Sequence, residues 1–335
     1  MKRYIAILLG LFLVISFISL FSWFWWNKSI GPVSSDTESY SFVITKGSSA
    51  MQVANKLEEK GIIKSALAFK IYTQVSGKAD SIQAGEFELS PGDSLFETVG
   101  ILLSGPMELW VTIPEGLRRE EIALRFAQGL EKEGNEYEVF VDDFLLYSKG
   151  EEGYLFPDTY LFPKEVEAQK VVGVLRDTFN KRIADMGEDM EGSDLGASGV
   201  VTLASLIERE TKGVDERPVV AGILLKRLNA DWPLQVDATV QYAISSSNCK
   251  LDIANCEWWP TLTRNDLDIN SPYNTYKYQG IPPGPIANPG LISLEAATYP
   301  KDSDFWFYIH DDKGVIHYAR TQEEHAENVS TYLGK

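Results

Sequence analysis

The stretch YIAILLGLFLVISFISLFSWFWW, Tyr4 to Trp26, contains no charged residue and almost no polar one. A helix of that length, rising about 1.5 Å per residue, crosses a hydrocarbon layer about 30 Å thick. It shows no amphipathic face, so it does not read as the core helix of a globular domain. A cleaved signal peptide would have a shorter apolar region and a small-x-small site after it, and none follows the run. A permanent anchor over residues 1–27 is therefore expected. Lys2 and Arg3 precede it and Lys28 alone follows closely. That asymmetry favours a cytoplasmic N-terminus, with the body of the chain on the far side of the membrane. Trp23, Phe24, Trp25 and Trp26 suit the far interface.

The remainder has ordinary globular composition, with one marked bias: the whole chain carries a formal net charge of −17. Nucleic acid is disfavoured as a partner, because a phosphate backbone needs lysine and arginine to neutralise it. The two cysteines, Cys249 and Cys256, form no C-x-x-C, and His310, His317 and His325 lie near the C-terminus without carboxylates at ligand spacing. No metal and no cofactor is expected. Outside the cytoplasm the two cysteines suit a disulfide closing a short loop, and two free thiols are the alternative. No G-x-S-x-G elbow is present, which disfavours serine hydrolase chemistry.

Residues 28–39 contain Gly, Pro and Ser and read as a linker. Beyond them, YSFVIT and AGEFELS read as strands, and Ser48–Lys60, Ser65–Val75 and SLFETVGILLS as helices. Ser48 or Ser49 is placed to cap the first helix and Gly61 to end it. This is a small α+β module over residues 40–105. VITKGSSAMQVANKL and VTIPEGLRREEIALRF share a strand, a glycine turn and an amphipathic helix, which suggests a weak internal repeat. The rest, 106–335, reads as one larger domain, and the fold class is α+β.

In that domain SGVVTLASLIERET has apolar residues at helical spacing. Leu203, Leu206 and Ile207 form a stripe, and Glu210 stands seven, four and three residues after them, on the same face. Glu208 falls about 200° away around the axis, beside Ala204 and Ser205. A carboxyl set against apolar walls loses hydration, which raises its pKa. A glutamic acid still protonated near neutral pH can donate to a leaving glycosidic oxygen. Glu210 is thus the candidate catalytic acid. The competing reading is a helix end whose Glu210 reaches solvent or pairs with Arg209 or Lys212.

Further on, DERPVVAGILLKRL reads as a structural helix. Gln235 and Asp237, two apart on an expected extended segment, would point to one side and suit sugar hydroxyls or a satisfied turn. SPYNTYKYQGIPPGPIANPG is stiffened by Pro282, Pro283, Pro285 and Pro289. Tyr273, Asn274, Thr275 and Tyr276 precede those prolines. Tyrosines with amide and hydroxyl neighbours on a stiff loop suit a carbohydrate cleft. A plain proline-rich connector is the alternative.

Taken with EGYLFPDTY and LQVDATVQYA, the anchor, the Glu-x-Glu-Thr helix and the Tyr-Asn-Thr-Tyr/Pro-Pro-Gly-Pro-Ile block resemble the endolytic murein transglycosylases of the YceG-like (MltG) family. The resemblance runs from about Tyr40 to the end. It implies a LysM-like subdomain over 40–105 and a lysozyme-like catalytic domain over 106–335. Its catalytic glutamate falls on Glu210, with Glu208 as the fallback. Glu208, Thr211, Gln235, Asp237, Tyr273, Asn274, Thr275 and Tyr276 are expected to hold substrate. Val236 and Ala238 stand where family members often have Thr and Pro. The implied reaction is non-hydrolytic cleavage of MurNAc–GlcNAc bonds in nascent murein, forming 1,6-anhydro-MurNAc ends and terminating strand growth. The implied setting is the bacterial inner membrane, single-pass, with the catalytic domain in the periplasm near the peptidoglycan synthases, the penicillin-binding proteins. A hydrolytic muramidase and a non-enzymatic wall-binding scaffold are the alternatives.

Overall fold

The computed structural model describes residues 2–35, 38–249 and 252–334, and side chains from Gly10 onward. It is a mixed α/β structure in two compact units, one comprising residues up to Trp110 with Leu161–Glu165, the other Val111–Tyr160 with the chain from Val166 on.

The first unit begins with α1, Lys2–Ile30. The stretch Gly10–Ile30 is long and apolar enough to cross a membrane. The helix continues past residue 27 into the expected linker. Val33 and Ser34 then donate their amides to the Pro91 carbonyl, so this part of the linker is tied down. The module has strands β1 (Tyr40–Ile44) and β2 (Gly85–Leu89), paired antiparallel with Tyr40 opposite Leu89. Its helices are α2 (Ala50–Glu59), α3 (Ala66–Val75) and α4 (Leu95–Ser104). Capping fixes where two of them start. Ser49 with Gln52, and Ser94 with Glu97, each exchange side-chain and backbone bonds in a capping box. The core joins Phe42, Leu57, Phe69, Phe87, Leu95 and Leu102, and the partly buried Trp25, Trp26 and Ile30 of α1 pack against it.

The sheet order is β1-β2-β3-β4, and the chain passes between the units within β3 (Glu108–Thr112) and β4 (Thr159–Pro163).

The second unit holds α5 (Arg119–Gly129), α6 (Gly134–Tyr147), α7 (Ala168–Arg182), α8 (Gly187–Gly192) and α9 (Gly196–Glu210). They are followed by α10 (Arg217–Asn229), α11 (Asp237–Asn248) and α12 (Leu291–Thr298). A hairpin, β5 (Phe307–His310) with β6 (Ile316–Ala319), and α13 (Gln322–Leu333) close the chain. Helix α9 is central: every residue from Gly199 to Ile207 is buried, and α8, α10, α11 and α12 all contact it. Gly222 of α10 is required by packing, because a Cβ there would overlap the Lys301 carbonyl that leads into the hairpin. Cys249 and Cys256 are joined in a disulfide with their Cα atoms 5.4 Å apart.

Candidate active site

Helix α9 ends at Glu210, and its last turn is fastened by Thr211, whose hydroxyl donates to the Ile207 carbonyl at 2.6 Å. Because Leu203, Leu206 and Ile207 anchor the same face in the core, the Glu210 side chain leaves the helix beside that core. It lines a cavity of about 300 Å³ together with Arg227, Gln235, Asp237, Tyr276, Phe307, Tyr308, Ile309, Gln322 and His325. That volume is at the lower end of small-molecule pockets.

Tyr308 of β5 donates its hydroxyl to Glu210 Oε2 at 2.9 Å. Burial raises the Glu210 pKa to about 7, and the nearby Asp237 charge pushes the same way. The Tyr308 bond and the guanidinium groups of Arg227 and Arg209 act in the opposite direction. The carboxyl is therefore held near the neutral point, where it can both donate and accept a proton. The sequence predicts greasy walls around it. The structure puts tyrosines, an arginine and a second carboxylate there, and it is removal from water that dominates.

Arg227 sits in the last turn of α10. Its guanidinium donates to the Leu234 carbonyl at 2.7 Å and to the Trp306 carbonyl through Nε at 2.9 Å and Nη2 at 2.7 Å. All three bonds go to backbone, so the cation is positioned beside the cavity with no carboxylate in ion-pair contact among the described residues. Desolvation lowers its pKa, opposed by the charges of Tyr308 and Glu210. Gln235 has φ 56°, the left-handed region that few non-glycine residues occupy, and its amide donates to the Thr275 carbonyl. Backbone strain of this kind clusters at ligand sites. Asp237 opens α11 and accepts the Tyr276 hydroxyl at 2.6 Å. The extended segment expected there is thus a tight turn into a helix. It still delivers both Gln235 and Asp237 to the cavity.

The structure gathers Glu210, Gln235, Asp237 and Tyr276 at this cavity, and it places the other expected substrate contacts elsewhere. Glu208 is enclosed: Oε1 accepts from Arg217 at 3.1 Å, and Oε2 accepts from the Gly290 amide at 3.0 Å and the Ser293 hydroxyl at 2.8 Å. It ties α9 to α10 and to the positive end of α12. Thr211 serves the helix end. Asn274 is fully buried; its amide nitrogen donates to the Leu267 and Ile269 carbonyls and its oxygen accepts the Tyr276 amide. Thr275 accepts the Val236 amide and bonds the Thr239 hydroxyl. Both therefore position Tyr276 and Gln235 from behind. Tyr273 packs on Tyr242, centroids 4.7 Å apart, and lines a separate cavity of about 410 Å³ with Ile281 and Pro282.

Arg227, Tyr308 and Gln322 also line the cavity with no sequence expectation attached to them, and His325, expected only as a histidine outside any metal set, lines it too. Arg227 was readable by the rule that found Glu210, since it follows Val220, Ile223 and Leu224 by seven, four and three residues on an apolar face. Tyr308 sits in a short aromatic strand, and no local pattern marks it. No group of three or more potential metal ligands occurs among the described residues.

The YceG-like family description matches residues 42–331. The chain belongs to the YceG-like family. It is 30% identical to a Bacillus subtilis protein named endolytic murein transglycosylase, covering 92% of this chain and 90% of that one. A Streptococcus pneumoniae protein of the same name is 27% identical over 91% of this chain, which spans 60% of the pneumococcal protein's length. The crystal structure of a YceG-like protein from Listeria monocytogenes superposes with a TM-score of 0.57 at 29% identity, covering 87% of this chain and 99% of that one.

Proposed function

We propose that this protein is a membrane-anchored lytic transglycosylase that cuts the β-1,4 bond between MurNAc and GlcNAc within murein strands and leaves 1,6-anhydro-MurNAc ends. The names of its relatives support a murein transglycosylase role. The observation that carries the mechanism is the Glu210 carboxyl, raised to about 7 by burial at a cavity it shares with Asp237, Tyr276 and Tyr308.

Glu210 transfers its proton to the glycosidic oxygen as the bond from MurNAc C1 to that oxygen breaks. The MurNAc 6-hydroxyl then attacks C1, and its proton passes to the Glu210 carboxylate, which restores the starting state. Tyr308 donates to that carboxylate while it is charged, and Asp237 faces the positive charge developing at C1. Glycosidases that use water need a second carboxylate to activate it or to act as nucleophile, whereas an internal hydroxyl removes that need. Gln235 and Tyr276 contact sugar hydroxyls. Glu208, Asn274 and Thr275 keep the walls in place.

The apolar helix supports a membrane anchor, and Lys2 and Arg3 ahead of it support the further reading, part of this proposal, of a bacterial inner-membrane protein with its catalytic domain in the periplasm. There the enzyme would meet strands near the penicillin-binding synthases and terminate their growth. Residues 40–105 as a LysM-like module and 106–335 as a lysozyme-like catalytic domain belong to the same proposal. One observation favours a second reading: Asp237 faces the same cavity as Glu210 and could activate water in a hydrolytic muramidase. Digestion of purified sacculi with the protein, followed by mass analysis of the released ends, separates the readings. Anhydro ends support the lyase, reducing ends replace it with the hydrolase, and binding without cleavage replaces both with a scaffold.

A further inference from the structure

We infer that helix α3 of the first unit rests on an anionic lipid surface. Leu67, Ile71 and Val75 stand four residues apart, so they form one stripe about 12 Å long on α3. All three are exposed, Val75 at 84%. The opposite side of the helix supplies Ala66 and Phe69 to the core of the module, so the stripe is surplus to the fold.

Two observations say what covers it. The first is position. Trp25, Trp26 and Ile30, at the end of the apolar helix α1, and Tyr72 of α3 pack against one core cluster, and α1 and α3 touch. Lys64, just before α3, lies against Gly31, just after α1. The stripe is therefore held close to the point where α1 emerges from the bilayer, and Trp23 and Phe24 beside that point are themselves exposed. The second is charge. From Lys60 to Ala79 the chain has four lysines and no acidic residue, although its net charge is −17. Lys64 precedes the stripe, Lys70 flanks it, and Lys78 follows it with its ammonium over the Tyr72 ring at 5.6 Å. An apolar strip with lysines at its ends and side suits the boundary between acyl chains and acidic headgroups, where the long lysine stems reach up to phosphate. The module, already packed on the end of α1, would then also lie against the membrane through α3.

This inference rests on the reading that α1 crosses a membrane, and the test keeps the two apart. Full-length protein carrying Val75→Cys or Phe12→Cys is labelled with an environment-sensitive fluorophore while Cys249 and Cys256 remain paired. It is then reconstituted into phosphatidylglycerol-rich vesicles with and without a spin-labelled lipid. The expected result is a spin-label-dependent loss of emission at both positions. The loss at Val75 should shrink in phosphatidylcholine vesicles and in the Lys64→Glu/Lys78→Glu variant, while the loss at Phe12 stays. Loss at Phe12 with none at Val75, or equal loss at Val75 in both lipids, overturns the inference and leaves the anchor intact. No loss at either position removes the anchor and this inference with it.

Discussion

Tyr308→Phe is the most informative single perturbation of the site, because it deletes one hydroxyl and leaves the ring in place. In the structure that hydroxyl donates to Glu210 Oε2 at 2.9 Å. A hydrogen bond to a charged group contributes about 1.5–3 kcal/mol. It favours the ionised carboxylate, so it holds the Glu210 pKa down. One pKa unit corresponds to about 1.4 kcal/mol, so its loss raises that pKa by about one to two units above the present value of about 7. If protonated Glu210 is the form that starts the reaction, activity falls on the alkaline side as Glu210 loses its proton. The variant should therefore keep its activity to higher pH, its alkaline limb displaced upward by about one to two units. The assay is muropeptide release from purified sacculi, measured as kcat/KM from pH 5 to 10. A limb that stays in place or moves down would refute Glu210 as the titrating acid.

Asp237→Asn removes a negative charge that raises the Glu210 pKa, so the same assay should show its alkaline limb moving down, by less than about one unit. Glu210→Gln should stabilise the fold at alkaline pH. A carboxyl whose folded pKa is raised from 4.5 to about 7 contributes most below pH 4.5 and loses that contribution as pH rises through 7. The full shift corresponds to about 3 kcal/mol, and screening at a partly exposed residue reduces it to about 1–2 kcal/mol. Urea unfolding of wild type and variant at pH 5 and pH 8.5 would reveal the crossover. Glu208→Gln should do the reverse: it removes the nearer carboxylate of the buried Arg217 and leaves only the more exposed Glu115 at 3.7 Å, so it should lower the melting temperature, at a cost below the about 3–5 kcal/mol of a fully orphaned buried charge. Replacing Cys249 and Cys256 with serine reopens a short loop and should cost about 2 kcal/mol in the same unfolding experiment.

Much of this site was legible in the sequence because it is built on helices. The three-, four- and seven-residue spacings in α9 send Glu210 and Glu208 in different directions, and in the structure Glu210 lines the cavity while Glu208 is enclosed against α10 and α12. The serine caps and glycine turns of the first module are local chemistry, so its helices begin and end where those residues stand. What spacing could not show was which polar residue faces a ligand and which holds a wall. Asn274 and Thr275 lie between Tyr273 and Tyr276 on one loop, yet both turn inward to satisfy buried carbonyls and amides. Glu208 is similarly committed to Arg217 and the start of α12, contacts between residues up to 85 positions apart. The left-handed turn at Gln235 exists because its amide meets the Thr275 carbonyl, another pairing that no local pattern contains. Tyr308 reaches Glu210 across 98 positions, through a hairpin whose strands are only four residues each.

The proposed reaction depends on one proton carrier, Glu210. Wild-type protein and Glu210→Gln should be incubated with purified sacculi, and both cleavage and sacculus binding measured. General acid catalysis contributes about 10²- to 10⁴-fold, so the variant should lose at least about a hundredfold in cleavage while still binding sacculi and melting no lower than wild type. A Glu210→Gln protein that cuts murein at near the wild-type rate would contradict the account.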